Sequence, residues 1–153
     1  MLTFFLPGPP PKLGTNHRRR MHWADINDLT ERVKLICTQK IREQIPKDLK
    51  IEEGVPCFDY VRVTFTLVAP NFKIADPDNM SGMMKPILDC ITVREGRIPL
   101  ILDDKAQYVE VLYQGRKGTD KKRKPWVLMT VEPLETPGEL SMSPSGIGNN
   151  MVW

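Results

Sequence analysis

Residues 58–68 read FDYVRVTFTLV, and in this run Val61, Val63, Phe65 and Leu67 alternate with Arg62, Thr64 and Thr66. A period of two predicts a strand with one covered face. Upstream, Ile26, Leu29, Val33, Ile36 or Cys37, and Ile41 recur at intervals of three to four. That spacing predicts a helix over 25–44 with one apolar stripe toward the core. Asp25 or Asn27 is positioned to cap it, and Pro46 stops it. Lys34, Lys40 and Arg42 are assigned to its solvated face.

The chain begins with an apolar run, residues 2–6, which reads as a strand closed by Pro7-Gly8-Pro9-Pro10-Pro11. After Asn79, the positions of Met83, Met84, Ile87, Leu88 and Ile91 predict a helix over 80–93. Gly82 weakens its first turn, and Pro86 either interrupts the helix or lies in the first turn of one that starts near Lys85. On the first reading residues 80–84 add a helical turn; on the second they are a loop insertion. Residues 94–97 form a turn and 98–102 a short apolar segment. Residues 106–113 and 126–131 read as two further strands, joined as a hairpin by a basic tip.

The order strand, helix, strand, helix, strand, strand suits one α/β (α+β) domain. The expectation is a mixed β-sheet with helices packed mainly on one face. A chain of 153 residues is long enough for one real core. The domain is assigned to 1–133. Residues 134–153 are rich in Pro, Gly and Ser without periodicity and are read as an extended or disordered tail.

Charge adds a partner class. The net charge is +3 and the pI about 8.8, which is compatible with nucleic acid. The distribution is more informative than the sum. Arg116, Lys117, Lys121, Lys122, Arg123 and Lys124 stand against the single acid Asp120, and Lys12, Arg18, Arg19 and Arg20 form a second basic stretch. Both are candidate phosphate contacts. Trp23 either closes the second stretch onto the core or stacks on a base.

Cys37, Cys57 and Cys90 lack metal-ligand spacing, and His17 and His22 have no partners for a zinc site. Buried thiols point to the cytoplasm. There is no 18-residue apolar run, so no membrane span is expected, and the start lacks the basic lead of a signal peptide.

The carboxylates cluster. Asp76 and Asp78 precede Asn79, Lys85 and Asp89 follow, and Asp103 and Asp104 are adjacent at the end of an apolar run. A spacing of two aims Asp76 and Asp78 at one point in an extended or turn segment. Carboxylate oxygens are the ligands that hard cations such as Mg²⁺ take, together with substrate phosphates. Asn79 is positioned as a helix cap. Asp89 is four residues from Lys85, so an ion pair on one helix face is its expected role.

The ordered set Asp76-x-Asp78-Asn79, then KPILD, then an apolar run ending in Asp103-Asp104, resembles the RusA family of Holliday junction resolvases. The opening LPGPPPK extends the similarity more loosely over residues 1–133. The resemblance implies a RusA-like fold and a homodimeric endonuclease that cuts four-way DNA junctions in recombination and repair. It implies Mg²⁺ as cofactor, with Mn²⁺ as a substitute. Asp76, Asp78 and Asp104 would be the essential carboxylates, Lys85 the catalytic-site lysine, and Asp103 a further metal ligand. Two alternatives remain beside it. One is a nonenzymatic branched-DNA-binding or replication-accessory protein; the other is a nuclease for flap or single-stranded DNA.

Overall fold

The alternating segment forms one of the two inner strands of a four-stranded sheet. In the computed structural model, which describes residues 1–14, 21–70, 77–120 and 122–135 and only the backbone of 77–79, β1 is Leu2–Pro7, α1 Trp23–Gln44 and β2 Val61–Ala69. The remaining elements are α2 at Pro77–Asp89, β3 at Val109–Lys117 and β4 at Trp126–Pro133. The sheet order is β1-β4-β2-β3. β4 is antiparallel to both β1 and β2, whereas β2 and β3 are parallel. The fold is therefore a small single-domain α/β architecture with a mixed sheet.

The expected hairpin between the last two strands does not form. β2 lies between β3 and β4, paired Val63↔Val111 on one side and Val63↔Val131 on the other. The basic connection from Gly118 to Pro125 thus passes over the end of β2. Spanning two strand spacings takes roughly 10 Å, which this connection easily bridges. Gly118 N–H donates to the Ala69 carbonyl at 2.9 Å and ties the connection to the end of β2.

One sheet face carries the core. Phe4 and Leu6, Val61, Val63 and Phe65, and Val127, Met129 and Val131 are all buried there. The helices cover this face. Val33, Cys37 and Ile41 of α1 and Met80, Met83, Met84 and Ile87 of α2 belong to the same cluster. Three of these four α2 side chains are methionines. Their unbranched chains fill core space, as ordinary packing requires.

The opposite face is open. Phe5 and Leu112 are exposed there, and Arg62 reaches Glu110 at 2.9 Å and Glu132 at 3.4 Å, joining three strands. The free edge of β1 is covered by a side chain. Gln44, at the end of α1, accepts from Phe5 N–H at 2.8 Å and donates to Phe5 carbonyl at 2.9 Å. An edge occupied in this way is not available to another strand at that point.

Gly8 allows the turn after β1 to approach β4. Its N–H donates to the Pro125 carbonyl at 3.1 Å, and a Cβ at this position would meet that oxygen at 2.7 Å. Only glycine fits so close to a backbone oxygen. Among the described residues, no helix is long and apolar enough to cross a membrane.

Several boundaries differ from expectation. α1 starts at Trp23 and its N-cap is His22, whose side chain accepts from Ala24 N–H at 3.2 Å, so neither Asp25 nor Asn27 caps it. α2 ends at Asp89, and β3 runs Val109–Lys117. α2 starts at Pro77, so Asn79 lies inside the helix and does not cap it. Residues 80–84 are helical, which selects the extra-turn reading over a loop insertion. Proline suits the first helical position, where its missing N–H has no intrahelical acceptor. Pro86 lies within the helix, where it forgoes the bond its N–H would make to the Gly82 carbonyl. The tail beyond Glu135 lies outside the described residues.

Candidate metal and nucleic-acid site

β2, α2 and β3 form a parallel β-α-β unit, and the candidate site is distributed along it. β2 ends at Ala69, the chain passes through 71–76, and α2 returns along the sheet toward the start of β3. Asp76 lies outside the described residues, as do Arg18, Arg19, Arg20 and Lys121. Asp78 is described by its backbone alone, in the first turn of α2. Seven residues separate it from Lys85. That is close to two turns, so the two positions share one line of the helix about 10 Å apart along its axis. Gly82 and Asp89 fall near the same line.

Lys85 is where distant sequence meets. Its ammonium is hydrogen-bonded to Asp89 Oδ1 at 2.9 Å, one turn away, and is paired with Asp104 Oδ2, 19 residues on. The 98–104 segment is led there by its backbone. Ile98 N–H donates to the Cys90 carbonyl at 2.9 Å, and Leu100 and Ile101 both donate to the Ile91 carbonyl, at 3.0 and 3.1 Å. Ile98, Leu100 and Ile101 are buried as apolar anchors. The segment is thereby clamped onto the end of α2, and Asp103 and Asp104 emerge beside Lys85.

Asp103 serves its neighbour, accepting from Asp104 N–H at 2.8 Å; its other oxygen is 4.0 Å from Lys105 Nζ. Helical spacing assigns Lys34 to a solvated face, but the structure places it at the helix–helix contact. Its ammonium is 3.5 Å from Asp89 Oδ2, and its side chain is only 19% exposed. The position follows from the register of α1, in which Lys34 is one turn from Thr38, a residue buried toward the core. Periodicity misses it because a lysine reads as polar wherever it stands.

These contacts make one charge network: Lys34, Lys85 and Lys105 against Glu31, Asp89, Asp103 and Asp104, with the Lys34 ammonium also 3.7 Å from Glu31 Oε1. Among the described residues, no group of three or more His, Cys, Asp or Glu is arranged to hold a metal ion. The structure thus brings Lys85, Asp89 and Asp104 together.

The basic residues separate into two places. Lys12 lies in a 3-10 turn, Pro11–Leu13, and is exposed. Arg116 and Lys117 belong to the end of β3, and Arg123 and Lys124 to the connection before β4. Lys122 is exposed, and its N–H donates to Asp120 Oδ1 at 2.9 Å, which closes the turn of this connection. Trp23 is exposed at the start of α1, with its ring stacked 5.8 Å from that of His22. It does not pack into the core.

The cysteines fit a reduced, buried role. Burial, with the nearby Cys90, pushes the Cys37 thiol up to about 12. Burial also raises Cys90, whose thiol lies 3.3 Å from the Pro86 carbonyl, and raises the half-buried Cys57. None of these thiols is prepared to act as a thiolate nucleophile near neutral pH.

Family models, curated proteins and solved structures give no match to this chain.

Proposed function

We propose that this chain is a RusA-like, Mg²⁺-dependent endodeoxyribonuclease that resolves four-way DNA junctions as a homodimer. The observation that supports it is the meeting of Lys85 with Asp104. The resemblance assigns a lysine and a later aspartate to one centre, and these two residues are contiguous although 19 positions separate them.

The donor set fits a hard cation in kind. Asp103 and Asp104 offer carboxylate oxygens only, which suits Mg²⁺ better than a soft metal. Both are already engaged by Lys105, Lys85 or a backbone N–H, so Asp76 and Asp78 would be needed to supply the excess negative charge. Asp76, Asp78 and Asp104 would hold the ion, with Asp103 in support. Bound there, it would act as a Lewis acid on the phosphodiester and lower the pKa of its water.

The chain's own groups have distinct tasks. Lys85 holds Asp104 in place and would stabilise negative charge developing on the oxygens of a phosphate entering the cluster. Asp89, itself paired with Lys34 through its other oxygen, anchors the Lys85 ammonium from the helix side. The connection carrying Arg123 and Lys124 would bind backbone phosphates without taking part in the chemistry.

The test is cleavage of a panel comprising a four-way junction, a flap, a duplex and a single strand, with Mg²⁺ or with EDTA. Paired nicks in opposing strands of the junction, dependent on Mg²⁺, are expected. Tight junction binding with no cleavage in Mg²⁺ or Mn²⁺ would instead favour the nonenzymatic reading, and preferred cutting of the flap or single strand would change the substrate.

A further inference from the structure

The open sheet face changes character along β2. At the start of the strand it carries the internally paired Arg62, Glu110 and Glu132. At the other end, the register sets Arg116 and Trp126 on either side of Val68. There the Gly118–Pro125 connection folds back, and a pocket of about 300 Å³ opens between it and the sheet. Its rim carries the cations Arg116, Lys117, Arg123 and Lys124, with Asp120 as the only acid among the described residues that line it. The excess of cations over this one carboxylate makes the described lining electropositive.

The floor is different in kind. Trp126, Leu128 and Val68 supply apolar surface, and Thr66 supplies a hydroxyl. The Arg123 guanidinium lies over the Trp126 ring, 4.8 Å from its centroid. Phe5 packs against the same indole, 5.7 Å between ring centroids. A flat cation on an indole occupies the place where a nucleobase stacks. Phosphate-sized positive charge around an aromatic floor matches a nucleotide, and neither a bare anion nor an apolar ligand would use both features.

We propose that this pocket takes one unpaired nucleotide of a single-stranded DNA segment. The base would stack on Trp126 in exchange for the Arg123 guanidinium, and the flanking phosphates would lie on Arg116 and Lys124. The pocket shares Ala69 and Pro70 with the chain that leads to Asp76. A strand held here is thus anchored at the end of β2 from which the carboxylate segment departs. This deepens the junction-cleavage reading by assigning the grip to an unstacked nucleotide, and it rests on that reading for its biological substrate.

The test uses full-length protein carrying Trp23→Phe and Trp153→Phe, which leaves Trp126 as the sole indole, in EDTA so that no cleavage intervenes. A short oligothymidylate is expected to quench Trp126 fluorescence to saturation, while inorganic polyphosphate binds with little quenching. Arg116→Gln with Lys124→Gln should weaken the quenching isotherm. Trp126→Leu, followed by anisotropy of a labelled oligothymidylate, should lose about tenfold in affinity. Should Trp126→Leu fail to fold, the quenching comparison decides alone. No quenching by the oligonucleotide, or equal quenching by polyphosphate, would overturn the pocket. Quenching in a protein that never cleaves a junction would leave the pocket standing and remove the nuclease reading, and cleavage without quenching would do the reverse.

Discussion

Lys85 ties Asp104 to Asp89, joining the end of an apolar run to a helix through one ammonium. The lysine side chain is 48% exposed, so its two pairs contribute little to stability and are open to exchange with a substrate phosphate. Lys85→Gln should therefore change the denaturation free energy by less than about 1 kcal/mol. The single-turnover rate on a junction should fall by about a hundredfold or more. Full activity in a folded Lys85→Gln protein would place the lysine outside the chemistry.

The connection before β4 should act on binding. Neutralising Lys121, Lys122, Arg123 and Lys124 together is expected to weaken junction affinity. Its dependence on the logarithm of salt should also flatten, by about 0.9 for each DNA phosphate that these cations no longer neutralise. The rate of the saturated complex should change far less. An unaltered salt slope would show that these cations do not meet the backbone.

Much of this arrangement is readable in the chain. The alternation of Val61, Val63, Phe65 and Leu67 identifies β2 and its covered face, and the stripe from Ile26 to Ile41 identifies α1. Strand neighbours are not readable, because pairing joins residues far apart in sequence. Local order favours a hairpin between β3 and β4, yet β2 inserts between them. A clue exists in the side chains. β2 reads VRVTFTLVA, β-branched or apolar at all but one position, as suits an inner strand, whereas the end of β3 is Gln114, Gly115, Arg116 and Lys117, as suits an edge. The pairing of Asp89 with Lys85 follows from helical spacing. The contact of Lys85 with Asp104 depends on the backbone clamp at Cys90 and Ile91, which no local pattern encodes. In the sequence Trp126 is visible only as a strand residue, since its floor position requires the crossing connection.

Gly8 is a position where one methyl group should matter. The carbonyl a new Cβ would strike belongs to the backbone of Pro125 and cannot rotate aside. Gly8→Ala is expected to lower stability by about 1–3 kcal/mol. Chemical denaturation with circular dichroism measures it, and an unchanged midpoint would mean that the β1–β4 end relaxes freely.

Alkaline pH should expose the buried thiols. In the folded protein Cys37 is raised from an ordinary value of 9.0 to about 12. Above pH 9 the unfolded chain therefore releases this proton while the folded chain retains it, and the folded state binds more protons. Stability from this group is complete below about pH 9 and declines as pH rises toward 12. Urea denaturation of wild type and Cys37→Ala across this window should show the wild type losing stability more steeply. Parallel curves would assign the alkaline decline to other groups.

The central claim is that Asp78 holds a catalytic Mg²⁺ with Asp76 and Asp104. Its most direct measurement is cleavage of a four-way junction by wild type and Asp78→Asn, with and without Mg²⁺, alongside junction affinity. At the second position of α2, asparagine keeps the size and costs less than about 1 kcal/mol in lost interaction with the helix dipole, but it lacks the charge that attracts the ion. The account predicts that Asp78→Asn loses Mg²⁺-dependent cleavage while junction binding persists or tightens, because repulsion between carboxylate and phosphate is relieved. Equal cleavage by the two proteins would contradict it.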